Sequence, residues 1–188
     1  MPSRKTIFVA LAGFAALCAI VAAADGEESG PELAQRMRDF FFKITPAEAE
    51  ISPSADHPQV FGVATDWPIR GHMATITAFA DGTASLYISS GYIVMGGYGA
   101  KVAAKRYVEQ AARSLEQARK TDDHPKPPAD EVRFYIRTFD SVYVIRESLT
   151  TLLNRRSKHD ALFVAANQVM TELFDTADKA QAADQDKK

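Results

Sequence analysis

Cysteine is almost absent from this chain of 188 residues. Cys18 is the only one, and it lies in an apolar stretch near the N-terminus. A single thiol cannot form an internal disulfide, and it excludes a paired-cysteine redox centre and a zinc site built from several cysteines. Apolar burial must therefore hold the fold together, and the hydrophobic content of 46% is ordinary for a globular domain.

The sequence also lacks the motifs that mark catalytic and metal centres. None of its four histidines belongs to an H-E-x-x-H motif, and there is no G-x-S-x-G motif. Asp66 and His72, on either side of a predicted turn, are the remaining acid/base pair, but a loop carboxylate and a solvated imidazole explain them more simply. The sequence therefore favours a non-enzymatic protein with no cofactor and no metal.

Neither sign of charge dominates the sequence. It contains 22 Lys and Arg residues against 24 Asp and Glu residues, for a formal net charge of −2. A chain with this balance has no overall attraction for a polyanion. We therefore expect no nucleic-acid partner.

Charged residues are nearly absent from residues 7–24. Arg4 and Lys5 precede this apolar run, which ends in three alanines before Asp25. A basic start, an apolar middle and small residues at the end are typical of a secretory signal peptide. We expect cleavage after residue 24 and export to the periplasm or the exterior, with no membrane span in the mature chain. The alternative is an uncleaved anchor, because 18 residues are near the lower limit for crossing about 30 Å of hydrocarbon.

The remaining sequence predicts a single domain. Residues 25–30 form a polar linker, residues 31–175 the domain, and residues 176–188 a polar tail that we expect to be disordered. Apolar periodicity predicts the order α-βββ-α-ββ-α, with a second helix over residues 99–120. The apolar stripe of the first helix consists of Leu33, Met37, Phe40, Phe41 and Ile44. The expected fold is α+β, with a five-stranded, mostly antiparallel sheet and its helices on one face.

The central hairpin has the clearest local signal. Asp81-Gly82 separates two alternating runs, which is typical of a tight turn between strands. A three-residue loop of Ala80, Asp81 and Gly82 places Ala78 opposite Ala84, so that apolar residues share one face and polar and aromatic residues the other. A slip of one residue would mix the two faces. We therefore predict the three-residue loop, with Gly82 in the left-handed region.

A second hairpin is predicted between residues 132 and 146. A two-residue loop at Asp140-Ser141 pairs Ile136 with Ile145 and turns Val132, Phe134 and Ile136 towards the core. The opposite face of the two hairpins combines aromatic and arginine side chains, the composition favoured at protein interfaces. Its predicted partner-binding residues are Phe79, Tyr87, Arg133, Tyr135 and Arg137.

A glycine-rich bend separates the third strand from the next helix. The spacing matches neither a Walker motif nor a dinucleotide fingerprint, because Gly99 is followed by Ala100-Lys101-Val102. Backbone N–H groups at a helix start still attract anions. Gly97, Gly99, Lys101 and Lys105 are therefore the predicted anion contacts, as part of a site across Gly91–Lys105.

The hairpin carries a family resemblance. The segment A-D-G-T-A-S-L-Y-I-S-S-G-Y at residues 80–92, with Gly96, Gly97 and V-R-F-Y at residues 132–135, resembles a family of uncharacterised bacterial proteins. The likeness covers residues 60–173, and the family has no assigned reaction, so it implies no catalytic residue. The order of elements is also similar to that of type III secretion chaperones, which is an analogy of fold alone.

Two functions are compatible with these observations. The first is an exported, non-enzymatic module that binds a protein partner or forms a homodimer through the aromatic and arginine face. The second is a small-ligand or anion-binding protein, or a hydrolase, with its site at the Gly91–Lys105 bend. An uncovered sheet face would favour the first, and convergent polar groups at the bend would favour the second.

Overall fold

The structure, a computed structural model, describes residues 7–8, 29–95 and 98–185. The rest of the predicted signal peptide, Gly97 and the last three residues lie outside these ranges. The α-helices are α1 (Gly30–Lys43), α2 (Lys101–Ser114), α3 (Leu149–Leu153) and α4 (Asp160–Gln185). Two 3-10 turns, Tyr98–Ala100 and Leu115–Gln117, flank α2.

One antiparallel sheet of seven strands forms the centre of the fold, in the order β4-β3-β2-β1-β6-β7-β5. Residues 7–8 add a short segment in parallel beside β4 at one edge. The strands are β1 (Val60–Ile69), β2 (His72–Phe79), β3 (Ala84–Ile88), β4 (Ile93–Met95), β5 (Arg119–Lys120), β6 (Glu131–Thr138) and β7 (Val142–Ser148).

The α+β class and the single sheet agree with the sequence-based prediction, but the predicted count of five strands is wrong. Strands β4 and β5 have three and two residues, too few for alternating hydrophobicity to reveal them. The sequence also predicts a helix over the segment that contains β5. In the structure α2 ends at Ser114, and residues 119–120 pair with β7 instead.

The predicted register of the central hairpin is confirmed. Ala78 pairs with Ala84, Ile76 with Leu86 and Ala74 with Ile88. Gly82 has a φ of +94°, and its N–H donates to the Phe79 carbonyl at 2.9 Å, which closes the three-residue loop. The segregation of apolar and polar side chains was therefore sufficient to fix the register.

The predicted register of the second hairpin is wrong by two residues. Ile136 pairs with Tyr143 rather than with Ile145, because the turn centres on Phe139 and Asp140. The Thr138 side chain sets this turn: its hydroxyl donates to the Ser141 carbonyl and accepts from the Ser141 N–H, each at 3.0 Å. A slip of two residues keeps every side chain on its predicted face.

Helices cover both faces of the sheet, so the prediction that they lie on one face is wrong. Helices α2 and α4 cover the apolar face, where Tyr107 contacts Thr65 and Phe163 contacts Trp67. Helix α1 covers the opposite face and reaches Asp66, the strand neighbour of Thr65. Successive strand residues point to opposite faces, so these contacts place the helices on different sides.

Helix α4 extends to Gln185, so the predicted disorder is wrong for residues 176–185. Ala177 is fully buried, and Phe174 contacts the Tyr92 ring with a centroid distance of 5.5 Å. The polar composition of this segment gave no sign of these contacts. They hold the helix at residues 174–177 against the region around β4.

Candidate functional site

The five predicted partner-binding residues lie beneath helix α1 and not on an open surface. Tyr87 is 4% exposed and Tyr135 is 1% exposed, and Phe79, Arg133 and Arg137 are also buried. Phe41 of α1 contacts the Phe79 ring at a centroid distance of 5.5 Å. The structure does bring these residues to one face, but it corrects the expectation that a partner can reach that face directly.

The residues of the predicted anion contact at the glycine-rich bend do not converge. Gly99 lies so close to helix α4 that an added Cβ would stand 2.2 Å from the Thr176 hydroxyl oxygen. Lys101 lies against the Gly82 turn, and Lys105 is exposed one helical turn further on. Gly97 lies outside the described residues. The described part of the bend therefore packs against neighbouring elements.

The structure also separates Asp66 and His72, the predicted acid/base pair. Asp66 is fully buried beneath α1, whereas His72 is exposed at the far end of β2. Asp66 faces Thr75 across the strands, and His72 pairs with Ile69. These two side chains cannot act together as acid and base.

A buried ion pair anchors α1 to the sheet. The Arg38 guanidinium donates from Nε to Asp66 Oδ2 at 3.0 Å and from Nη2 to the same oxygen at 2.6 Å. The Thr75 hydroxyl donates to Asp66 Oδ1 at 2.7 Å. The buried charges of Arg38 and Asp66 thus lie beside each other, and their attraction and hydrogen bonds offset the cost of removing both from water.

The loop at residues 121–130 closes the same face. Its backbone carbonyls accept from side chains beneath it: Arg38 Nη2 donates to the His124 carbonyl at 2.7 Å, and the Tyr135 hydroxyl donates to the Pro125 carbonyl at 2.8 Å. The His124 ring stacks on Phe42 with a centroid distance of 4.1 Å. These contacts fix the position of His124 relative to α1.

Arg137 is buried on the same face but is not part of such an ion pair with any described residue. It is 8% exposed, and the guanidinium lies 4.7 Å from the centroid of Phe61 and 5.7 Å from that of Phe41. Its Nη1 donates to the Phe41 carbonyl, but its Nε has no hydrogen-bond partner. No carboxylate in residues 29–95 or 98–185 pairs with it. Desolvation lowers the pKa of Arg137 to about 10, so the side chain remains a cation at neutral pH.

An open cleft of about 410 Å³ lies beside Arg137. Its walls come from the turn after α1, from β5 and the loop that follows it, and from the β6–β7 turn. Thr45 and Pro46 line the first wall, Lys120 and His124 the second, and Phe139, Ser141 and Val142 the third. Two exposed carboxylates, those of Asp122 and Asp140, also border it.

His124 adds a second donor to the cleft. Its Nε2 is buried and has no hydrogen-bond partner in the part of the chain that the structure describes. Burial lowers the pKa of His124, and the charges of Arg38 and Arg137 lower it further, against a smaller opposite effect of Asp123 and Asp122. The imidazole is therefore neutral at neutral pH and carries one N–H.

This arrangement suits an anion. A guanidinium and an imidazole N–H donate to the oxygens of a carboxylate or phosphate. Within the described residues, no group of three His, Cys, Asp or Glu side chains lies close enough to hold a metal ion. The cleft is thus a candidate anion-binding site.

The sequence identified Arg137 but not its setting. Alternation along β6 placed Arg137 on the correct face, beside Arg133 and Tyr135. Nothing local showed that α1 would bury it, or that the residue 121–130 loop would bring His124 to the same cleft. Those placements depend on contacts between segments far apart in sequence, such as the 96 positions between Arg137 and Phe41.

Comparison with known proteins adds no assignment. In the described residues, no helix is both long enough and apolar enough to cross a membrane. The likeness of the hairpin to uncharacterised bacterial proteins stays a prediction. No family model, no curated protein and no solved structure matches this chain.

Proposed function

We propose that this protein binds a small oxyanion, a carboxylate or a phosphate, non-covalently in the cleft beside Arg137. The observation that carries the proposal is a buried guanidinium with no carboxylate partner among the described residues. The cleft gives a ligand access to it. The class of function is the anion-binding alternative of the sequence analysis, at a different place from the glycine-rich bend.

Arg38 provides the comparison that supports this interpretation. Arg38 belongs to α1 and Arg137 to β6, and the two are buried to a similar degree, 5% exposed for Arg38 and 8% for Arg137. The Arg38 guanidinium has the Asp66 carboxylate beside it, whereas the Arg137 guanidinium contacts one carbonyl and two aromatic rings. Cation–π contacts contribute about 0.5 to 2 kcal/mol each, and the desolvation of a buried charge costs several kcal/mol. A bound anion would supply the missing charge.

A titration of the full-length chain tests the proposal. Acetate, 4-methylpentanoate and phosphate are added separately, and the Arg137 Nε–H signal is followed by NMR, with chloride as the control for ionic strength. We expect at least one oxyanion to shift this signal saturably at millimolar concentration, a free energy of about −4 kcal/mol. The shift should be absent with chloride.

Matched variants assign any binding to the cleft. Arg137→Met should abolish it, and Arg137→Lys should weaken it, because an ammonium keeps the charge but loses the bidentate fork. Arg146→Met is the control, since Arg146 is exposed on the neighbouring strand. The proposal is wrong if no oxyanion binds at about 10 mM, or if Arg137→Met binds as well as the parent.

A protein-binding or self-associating module is the other function expected from the sequence. We do not favour it, because the face on which it rested is covered by α1 and the residue 121–130 loop.

Export of the protein remains our proposal for its location. It is supported by the pattern of Arg4 and Lys5, the apolar run and the alanines before Asp25. The intact mass of the protein recovered from the producing cells should correspond to a chain that begins at or near Asp25. A full-length chain in the membrane fraction would contradict export with cleavage.

A further inference from the structure

We infer that the ligand of the cleft is a zwitterion, an α-amino acid or a dipeptide, whose carboxylate meets Arg137 and whose ammonium group meets Asp122 and Asp140. This inference rests on the proposed function. It adds a second charged group of opposite sign to the ligand, and so separates amino acids from simple carboxylates and phosphate.

Two of the basic side chains that line the cleft beside Arg137 are more buried than the two acidic ones. Arg137 is buried and His124 is partly buried, whereas Asp122 and Asp140 are both exposed. Two separate elements repeat this order. The β6–β7 hairpin supplies Arg137 below and Asp140 in its turn, and the loop after β5 supplies His124 below and Asp122 two positions earlier. A ligand that enters the cleft therefore meets donors at the bottom and carboxylates at the mouth.

Both carboxylates at the mouth are available to a ligand. Neither Asp122 nor Asp140 forms an ion pair with a described lysine or arginine. Lys120, which is exposed, is the other charged group at this rim, so two acids outnumber one base there. A simple anion would be repelled at this mouth, and an ammonium group would be attracted.

The size and the apolar lining agree with an amino acid or dipeptide. The volume of about 410 Å³ falls in the range of small-molecule sites and exceeds what an inorganic phosphate fills. Pro46, Phe139 and Val142 also line the cleft. They offer an apolar surface to an aliphatic side chain of the ligand.

Calorimetry with a matched set of ligands tests the inference on the full-length chain. Leucine carries both charges, 4-methylpentanoate lacks the ammonium group, and 3-methylbutylamine lacks the carboxylate. Leucyl-leucine distinguishes a dipeptide from a free amino acid. We expect leucine or leucyl-leucine to bind about 10-fold more tightly than 4-methylpentanoate, the gain from two partly exposed ion pairs. The amine should not bind.

Variants separate this inference from the proposed function. Asp122→Asn with Asp140→Asn should reduce the preference for leucine over 4-methylpentanoate to about 1-fold and leave the affinity for 4-methylpentanoate unchanged or stronger. Arg137→Met should abolish binding of both. Glu116→Gln, which changes an exposed acid outside the cleft, is the control and should keep the full preference.

Each outcome gives a decision. Equal affinities of the parent for leucine and 4-methylpentanoate would overturn the zwitterion inference and leave oxyanion binding intact. A preference that survives in the double asparagine variant would also overturn it, because the mouth carboxylates would then have no role. If none of these ligands binds to the parent, the zwitterion inference is wrong, and the titration with acetate and phosphate decides the proposed function.

Discussion

Arg38 and Arg137 differ in what their substitution should cost. Asp66→Asn leaves Arg38 with only the partly exposed Asp39 carboxylate, 3.8 Å from its Nη1, and the loss of one partner of a buried pair lowers the free energy of unfolding by about 3 to 5 kcal/mol. Arg137→Met removes a buried cation that has no charged partner in the described chain. We expect the free energy of unfolding to be unchanged within about 1 kcal/mol or to rise.

Urea denaturation of the two variants and the parent measures this difference. A gain in stability from Arg137→Met together with a loss of ligand binding is the pattern expected of a residue kept for function. If Arg137→Met lost as much stability as Asp66→Asn, Arg137 would be a structural residue. The argument for the cleft would then lose its main support.

The turn at Gly82 allows a second prediction about single residues. With a φ of +94°, a β-branched side chain is strained by about 1 to 2 kcal/mol or more. An added Cβ would also stand 2.5 Å from Lys101 Cγ and 3.2 Å from the Lys101 carbonyl oxygen. Asp81 is exposed, and its carboxylate accepts from the Thr83 N–H and hydroxyl at 2.8 Å each.

We therefore expect Gly82→Val to lower the melting temperature more than Asp81→Ala, for which the lost turn contacts cost about 1 kcal/mol. Thermal unfolding followed by circular dichroism gives both values. A Gly82→Val variant with the melting temperature of the parent would contradict the assigned turn.

At the scale of elements, helix α1 decides which residues are core. It turns the aromatic and arginine face of the sheet into a second interior, in which Leu33, Met37 and Tyr87 pack with Ile93 and Met95. Its amphipathic stripe was readable from the sequence, and so was the register of the hairpin it covers. The sheet face on which the stripe would lie was not readable, because amphipathicity shows that a helix is half-buried and not where.

The other differences between the predicted and the observed fold are the β6–β7 register and the two short strands. The β6–β7 register depended on one side chain, Thr138, which caps its own turn. Strands β4 and β5 exist because longer neighbours offer them open edges, and their own residues carry no pattern. Local pattern thus predicted the long elements and their faces, and long-range contacts determined the cover, the short strands and the cleft.

The burial of Tyr87 and Tyr135 makes a prediction about this covered face. An exposed tyrosine would tolerate alanine, but truncation of a buried aromatic side chain costs about 3 to 5 kcal/mol. Tyr135 additionally touches Phe42 at a centroid distance of 5.0 Å. Tyr87→Ala and Tyr135→Ala should each lower the midpoint of urea unfolding strongly, and the double variant should be largely unfolded, since domains are stable by about 5 to 15 kcal/mol.

Tyr135→Phe is the matched control, because it loses only the hydroxyl bond to the Pro125 carbonyl, worth about 1 kcal/mol. A double alanine variant that melts with the parent would show that α1 does not cover this face.

For the whole molecule, two histidines determine a response to acid. Burial lowers the pKa of His124 and of His159, so the native state favours their neutral forms. The unfolded chain takes up protons near pH 6.5. As the pH falls through this value, the unfolded state binds more protons than the native state, and the free energy of unfolding decreases until the pH passes the lowered native values.

Urea unfolding at pH 7.5 and pH 5 tests this response. The double variant His124→Gln with His159→Gln should lose less stability between the two pH values than the parent. His72→Gln, at an exposed position, is the control and should behave as the parent does. An identical pH dependence in the double variant and the parent would show that these histidines do not contribute.

The position of helix α1 at the start of the domain has a consequence for synthesis. The helix leaves the ribosome first, but the surface that it covers is complete only when Arg137 has been added, 96 positions after Phe41. At about 5 to 20 residues per second, this delay lasts about 5 to 20 s. During that time the surface that α1 covers is incomplete, although the part that contacts Leu33 and Met37 has already been synthesised. The nascent chain therefore offers a hydrophobic segment to chaperones or to an export machinery before the domain is able to close over it.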